Sequence, residues 1–430
     1  MKKSYLAAGV AVILGGVGLI ATRSSQLYHH NARVAPAYAR LAIVSTAARH
    51  DVDYELLDSR LQELMKKPFM VGLAVGVVEN GRITFLRGYG HTIAGSDEQV
   101  TPSTVFRWAS ISKGVAATTV VKLAEQGKVD LNAPISTYNT SLRLPGGAEQ
   151  RASVIDLLSH RLGIYHNADD PRLESGEDPK ELRSEIGQLD LVCQPGTCWN
   201  YENVAYDDSS EIVANVTHEP YQAAVQRMIF DPIGMTSASL TRDGLESSPS
   251  WARPHSAGGR PLQVSDAYYR IPGAGGVNSN IKDLALWMLA QMGEMPGVLS
   301  PRVLNELHAR LVKTPNERGR LHMPPGEPLE NAWYGLGWRS YDYAGHVLVG
   351  HRGGVDGYRS LILLDPQKKS GVVALWNSNT NQPGGLEFEV MDQIFHLGFH
   401  DWLKIAGSAE AKAEEEASDS GDSAIHGRRH

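Results

Sequence analysis

The sequence predicts an α/β (α+β) fold: an antiparallel sheet flanked by helices, with an inserted, mostly helical lobe. Three observations predict it. Strand patterns gather toward both ends of the chain, helical patterns fill the middle, and 430 residues with a hydrophobic fraction of 42% suffice for a full core and two lobes. The first strand group is residues 71–78 and 82–89, joined by Glu79-Asn80-Gly81, an Asn-Gly hairpin signal. The second group is residues 347–350, 358–364 and 371–377, followed by a helical stretch at 388–397. Helical patterns between them include 154–159, 211–216, 221–230 and 281–292. A sheet built from both chain ends with a helical insertion at roughly 120–290 is the simple arrangement. No internal repeat interrupts it.

The ends of the chain read differently from its body. Lys2 and Lys3 precede residues 5–21, a run without charges that is about long enough to cross a bilayer, and Arg23 follows it. Residues 1–25 are therefore expected to be a signal or membrane anchor that exports the rest of the chain to the periplasm. No clean Ala-x-Ala site follows at the usual distance, which favours an uncleaved inner-membrane anchor or an inefficiently cleaved signal. Residues 26–60 read as a linker, 61–405 as the catalytic domain and 406–430 as a disordered acidic tail, with its acids between 410 and 422. A net charge of −7 gives no footprint for nucleic acid. Only two cysteines occur, Cys193 and Cys198, and they flank Gln194-Pro195-Gly196-Thr197. A turn there brings their α-carbons within disulfide range, and an exported location favours a bridge over a pair of buried thiols. Two cysteines without a paired histidine cluster make no structural zinc site, so no metal or other cofactor is expected.

Ser110-Ile111-Ser112-Lys113 carries the chemistry. It lies where a strand-like segment, 104–109, gives way to a helical run at 114–125. Residues three apart on a helix share a face, so the Lys113 amine can reach the Ser110 hydroxyl and take its proton. Such a spacing means little alone, but two further motifs follow in order. Tyr201-Glu202-Asn203 comes after the turn Pro195-Gly196-Thr197, and His351-Arg352-Gly353-Gly354 comes after the apolar Val347-Leu348-Val349. His396-Leu397-Gly398 also fits His-x-Gly, yet it lies in a helical context without a second glycine. Glu211, four residues before Asn215, has the spacing of a deacylating base but falls on the polar face of an amphipathic helix and is read as a solvated carboxylate.

Acyl transfer needs a nucleophile, a proton acceptor, a donor to the leaving atom and donors for the developing oxyanion. Ser110 supplies the first, while Lys113 and Tyr201 are the candidates for the proton work. Asn203, two residues beyond Tyr201, points the same way and can bind Lys113 and a substrate amide.

In this order the three motifs resemble the serine β-lactamase and penicillin-binding-protein superfamily, most closely its class C-like, peptidase S12-type branch. Other phrases carry the resemblance from about residue 60 to 400: Val100-Thr101-Pro102, Asp156-Leu157-Leu158-Ser159-His160, Asp231-Pro232-Ile233-Gly234-Met235, Gly275-Gly276-Val277-Asn278-Ser279 and Tyr334-Gly335-Leu336-Gly337-Trp338. It implies a β-lactamase/transpeptidase-like fold with the site between the lobes, catalytic Ser110, Lys113 and Tyr201, and an oxyanion hole made by the backbone N–H groups of Ser110 and Gly354. Asn203, His351, Arg352, Gly353 and Gly354 are the implied substrate-binding residues. His351 stands where most relatives carry lysine and Arg352 where a threonine usually meets the substrate carboxylate, while Arg359 is a second candidate partner for an anion. An imidazole is largely neutral at pH 7, so this variant leaves less fixed positive charge at that position. The expectation is an exported serine hydrolase of a small-molecule or peptidoglycan-derived amide or ester, with β-lactam hydrolysis leading. D-Ala-D-Ala carboxypeptidase, endopeptidase or carboxylesterase activity on the same residues is the alternative, and a non-catalytic peptidoglycan or β-lactam sensor is the reading from another class.

Overall fold

A computed structural model describes residues 50–405 apart from 316, 322 and 324–327. The apolar run at 5–21, most of the expected linker and the acidic tail lie outside these residues. No helix among the described residues is long and apolar enough to cross a membrane.

The strands are β1 (Gly72–Glu79), β2 (Arg82–Gly90), β3 (Phe106–Arg107), β4 (Asn278–Ser279), β5 (Val312–Lys313), β6 (Leu329–Tyr334), β7 (Arg339–Tyr343), β8 (His346–Val355), β9 (Tyr358–Asp365) and β10 (Ser370–Trp376). Eight of them form one antiparallel sheet in the order β2-β1-β10-β9-β8-β7-β6-β5, and β3 pairs with β4 separately. The sheet is built from both chain ends as expected, because β1 lies against β10 from Leu73 opposite Trp376 to Val78 opposite Gly371. Every residue of β1 is buried, so the strand reads as a continuous apolar run. Its side chains still alternate: Leu73, Val75 and Val77 join one core, Ala74 and Val78 the other.

The larger core lies between the sheet and the helical lobe. The helix Ser112–Glu125 runs through it with eleven of its fourteen residues buried. Small residues permit this depth, and Thr118 and Thr119 satisfy their hydroxyls on the carbonyls of Gly114 and Val115. The helix Ile281–Gln291, capped by Asn280, is buried almost all round and packs on β1 and β10.

On the other face the helix Tyr54–Met65 meets the helix Leu386–Ile394. The domain thus begins within the span expected to be linker: Asp53 caps a helix that buries Leu57, Arg60, Leu61 and Leu64. Arg60 fixes the two helices together, donating to both carboxylate oxygens of Glu389 at 2.7 and 2.6 Å and to Asp401 at 2.5 Å.

Three local expectations change. The strand at 104–109 shrinks to Phe106–Arg107, because Ala109 takes a left-handed backbone (φ 50°) that ends the extended run. The helix at 221–230 is regular only to Val225 and continues as a π-turn, Gln226–Phe230. Glu211 is not solvated: it binds Arg183 at 2.7 Å and the backbone N–H and hydroxyl of Ser141 at 2.6 and 2.9 Å.

Arg60 and Glu389 are both buried, so removing the cation leaves an uncompensated carboxylate in the core. Arg60→Met should lower unfolding free energy by about 3–5 kcal/mol in denaturant titrations, whereas loss of an idle surface pair would cost under about 1 kcal/mol.

Candidate active site

The candidate nucleophile stands on a tight turn. Trp108 donates its N–H to the Val277 carbonyl at 2.8 Å, Ala109 turns left-handed, and a 3-10 turn over Ala109–Ile111 delivers Ser110 to the head of the helix Ser112–Glu125. A left-handed alanine costs on the order of 1–3 kcal/mol, and such strain persists only where the surroundings over-determine it. They do so here, since Ser112 accepts from the Val277 N–H at 3.0 Å and Ser360 donates to the Trp108 carbonyl at 2.6 Å.

Lys113 is fully buried on the first helical turn, and its Nζ faces three oxygens. Ser110 Oγ lies at 3.4 Å, Asn203 Oδ1 at 2.6 Å and the Ala274 carbonyl at 3.1 Å. As an ammonium, Lys113 can donate to all three. As an amine it keeps two N–H bonds, to Asn203 and Ala274, and its lone pair is left for the Ser110 proton.

The second motif arrives on a loop held by backbone bonds. Gly163 accepts from Val192 N–H, Arg161 from Gly196, His160 from Asn200, and Tyr201 accepts from Asn167 N–H at 2.8 Å. The Cys193–Cys198 disulfide closes this loop just ahead of Tyr201. Tyr201 lies with its ring centroid 4.6 Å from Lys113 Nζ, 4.3 Å from the His160 ring and 6.3 Å from the His351 ring. Asn203 does hold Lys113, but its amide nitrogen donates to Asp170 Oδ2 at 2.6 Å.

β8 brings the third motif alongside. β7 pairs with β8 only from Tyr343 opposite His346 to Arg339 opposite Gly350, so residues 351–355 run on past the paired segment along the cleft. An atom at the Cβ position of Gly353 would sit 2.3 Å from the Trp108 carbonyl, so only glycine lets β8 lie this close to the nucleophile turn. His351 is buried. Its Nδ1 lies 2.7 Å from the Arg352 carbonyl, which can only accept, and its Nε2 lies 3.2 Å from the Tyr334 hydroxyl. Nδ1 is thus the donor to that carbonyl, and Nε2 shares a hydrogen bond with the Tyr334 hydroxyl.

Arg352 lines the same cavity as Ser110, but its guanidinium is held by a carboxylate. It is paired across the ladder with Leu361, on the face that carries the terminal helices, and its guanidinium binds Glu387 (Nε to Oε1, 2.6 Å). Alternation along the strand turns it away from the face occupied by Ser110. Arg359 pairs with Gly354 on that same face and donates to Asn379 and to the carbonyls of Val355 and Tyr358.

Several site residues carried no assigned role in the sequence. His160 and Glu202 are fully buried behind Tyr201, with Glu202 N–H donating to His160 Nδ1 at 3.2 Å. Burial, aided by the charge of Lys113, holds His160 well below the ordinary imidazole range. Burial holds Glu202 well above the carboxylate range. Asp170 is pushed up by burial and pulled back by its hydrogen bond from Asn203 and the charge of Lys113. Arg339 is buried beside Trp199, Tyr201 and Tyr334 and pairs with Glu317. His160 and Tyr334 stand in phrases noted above, and Glu202 sits inside the second motif. Nothing in the residues around Asp170 distinguishes it from an ordinary helix start.

Ser110, Tyr201, Asn203, His351, Gly353 and Gly354 all line one cavity of about 1840 Å³. No group of three or more acidic, histidine or cysteine side chains that could hold a metal occurs among the described residues. A family model described as Beta-lactamase matches residues 57–394. The chain belongs to the beta-lactamase family. Among curated beta-lactamase-like relatives it is 27% identical over 380 residues to an unguisins hydrolase, ungD, of Aspergillus violaceofuscus, covering 82% of this chain and 66% of that one. The chain thus spans just under two thirds of that relative's length. Two solved structures share the beta-lactamase fold. An octameric penicillin-binding protein homologue from Pyrococcus abyssi matches with a TM-score of 0.71 and 24% identity, over 80% of this chain and 78% of that one. A beta-lactamase/D-alanine carboxypeptidase from Pseudomonas syringae matches with a TM-score of 0.65 and 20% identity, over 80% and 98%.

Two outcomes test this beta-lactamase-family site. Gly353→Ala should force β8 off the nucleophile turn and cut the rate of Ser110 labelling by a fluorophosphonate at least about 100-fold, as misplacement by an ångström does elsewhere; an unchanged rate would show that the contact does not set the geometry. The second concerns pH. An unfolded glutamate ionises near 4.5, whereas folded Glu202 keeps its proton to well above that value. The folded state therefore binds more protons across that window, and the stability tied to this residue is full below pH 4.5 and is lost as the pH rises toward the folded value. Glu202→Gln abolishes the loss, so in melting curves its stability relative to the parent should improve as the pH is raised above 4.5, by up to about 1.4 kcal/mol per pH unit.

Proposed function

We propose that this beta-lactamase-family protein is a serine hydrolase that forms an acyl-enzyme on Ser110 with a peptide-like amide or ester. The observation that carries the reading is the buried Lys113 amine, held by Asn203 and Ala274 with Ser110 Oγ at its one remaining position. In the first step the Ser110 proton passes to Lys113 while Oγ bonds to the substrate carbonyl carbon. The backbone N–H groups of Ser110 and Gly354 then receive the oxyanion. As the intermediate collapses, the carbon–nitrogen or carbon–oxygen bond breaks and the proton returns through Lys113 and Tyr201 to the leaving atom. Water repeats the sequence on the acyl-serine, giving up a proton to the same pair and releasing the acid.

Shape rather than charge bears on the substrate class. Arg352 is paired with Glu387, and the cavity is lined both by carboxylates such as Asp169, Asp170 and Glu174 and by cations such as Lys67, Arg172, Arg339 and Arg359. The extended stretch of β8 at 351–355 can accept a peptide as an added antiparallel strand, and the cavity exceeds the roughly 300–1,000 Å³ of common small-molecule sites. The similar proteins include one named an unguisins hydrolase and one named a beta-lactamase/D-alanine carboxypeptidase, which agree with hydrolase chemistry. Beta-lactam hydrolysis is the second reading, and membership of the family supports it. The Cys193–Cys198 disulfide supports an oxidising location outside the cytoplasm.

The full chain should be mixed separately with nitrocefin, a D-alanyl anilide and a short-chain p-nitrophenyl ester, following colour release and intact mass. Turnover of the anilide or ester with a long-lived nitrocefin adduct on Ser110 is the expected result, and Ser110→Ala should lower kcat/KM by about 1,000-fold or more. Rapid nitrocefin turnover moves the assignment to a beta-lactamase. Absence of any adduct or turnover sinks the catalytic reading and leaves a binding protein.

A further inference from the structure

Asn203 must present its oxygen to Lys113, yet an amide side chain is nearly symmetric in shape and can be turned end for end. If turned, it would point its NH2 at the Lys113 amine, setting donor against donor and removing the hydrogen bond that aims the lone pair. One residue breaks the symmetry. Asp170 Oδ2 lies 2.6 Å from Asn203 Nδ2, and a carboxylate accepts only, so the Asn203 oxygen has to face the other way, to Lys113 at 2.6 Å. All three side chains are more than nine-tenths buried.

The backbone holds Asp170 for this contact. Asn167 and Asp169 both adopt left-handed conformations (φ 53° and 61°), each costly for a residue other than glycine. Asn167 N–H binds the Tyr201 carbonyl at 2.8 Å and Asp170 N–H binds the Asn167 carbonyl at 3.2 Å, so the short loop is clamped to the segment that carries Tyr201 and Asn203. The helix Asp170–Glu174 starts at the same residue, and Pro171 suits its first turn. The other oxygen, Oδ1, is buried without a hydrogen-bond partner among the described residues. A carboxylate serving only to anchor the loop would be expected to use both.

We propose that Asp170 is a positioning residue of the reaction: through the amide of Asn203 it fixes the direction of the Lys113 lone pair and supplies the negative charge that balances Lys113 across that amide. The inference rests on the proposed acylation of Ser110, and it adds a fourth side chain, from a loop outside the three motifs, to the proton-transfer unit.

The test separates this claim from the one beneath it. Fluorophosphonate labelling of Ser110 in the parent chain must occur for acylation itself to stand, so a parent that does not label overturns the proposed function first. Given labelling, Asp170→Asn should slow it, and should lower kcat with little change in KM, by about 10- to 100-fold, the size of a lost charge-assisted hydrogen bond. Exchanging the pair, Asp170→Asn with Asn203→Asp, restores both polarities: the carboxylate now at position 203 accepts from Lys113 and from the amide now at position 170. The double variant should therefore recover at least about tenfold of the lost rate, which a merely structural aspartate would not produce. Labelling of Asp170→Asn at the parental rate overturns the inference. So does a double variant that folds, by circular dichroism, and labels no faster than the single one. If Asp170→Asn does not fold, the double variant decides alone, by folding and labelling or by failing to.

Discussion

A lysine side chain with no exposure to solvent, which has to be accommodated as an ammonium whenever it is protonated, is the constraint from which the rest of the architecture follows. Placing a cation in a protein interior costs several kcal/mol unless polar groups replace its hydration shell. Lys113 finds three oxygens, and each comes from a different part of the chain: the turn that precedes its own helix, the loop of the second motif and the short helix Pro272–Gly275. None of these segments could move far without leaving the cation unsolvated. Even the lysine carbonyl is engaged, accepting from the Tyr206 hydroxyl at 2.9 Å, and the Cβ position of left-handed Gly337 would lie only 2.6 Å from it. The site is thus held together by the groups that solvate its buried lysine.

Close approach is the second requirement, and glycine meets it at two places. Gly353 lets β8 touch the turn before Ser110, and Gly114 lets the nucleophile helix lie against the ring of Trp338, which an added Cβ would approach to 2.9 Å. Strand alternation then sorts what remains. His351 and Arg352 point to opposite faces of β8, so two adjacent polar residues that line one cavity take different partners, His351 the Tyr334 hydroxyl and Arg352 the Glu387 carboxylate.

How far the sequence could be read depended on whether a feature was local. The β1–β2 hairpin was legible because Asn-Gly and continuous apolar runs announce it, and β8 to β10 were legible for the same reason. β6 and β7 went unnoticed: Leu329-Glu330-Asn331-Ala332-Trp333-Tyr334 alternates weakly and draws its burial from neighbours far away in sequence. Spacing and order singled out Ser110, Lys113, Tyr201 and His351 in the sequence, and the structure brings these four together. The direction of Arg352 was not legible there, since it depends on which face of β8 the fold happens to cover. Asp170 was invisible because an aspartate before a proline is an everyday helix start, and only tertiary contact gives it Asn203 as a partner.

The pairing of β1 with β10 also fixes when the molecule can exist. Val75 lies opposite Ala374, so β1 is paired on this side by a segment made long after it. Until that segment leaves the ribosome, β1 has a partner on one side only, the β2 hairpin, and its other edge is exposed. Contacts so distant along the chain close slowly, because the entropy of joining the ends is lost before the sheet returns anything. The nucleophile turn, braced by Ser360 of β9, is in the same position. A nascent chain therefore holds its Ser110–Lys113 motif long before it holds the cleft around it, which forms only when β8 to β10 dock.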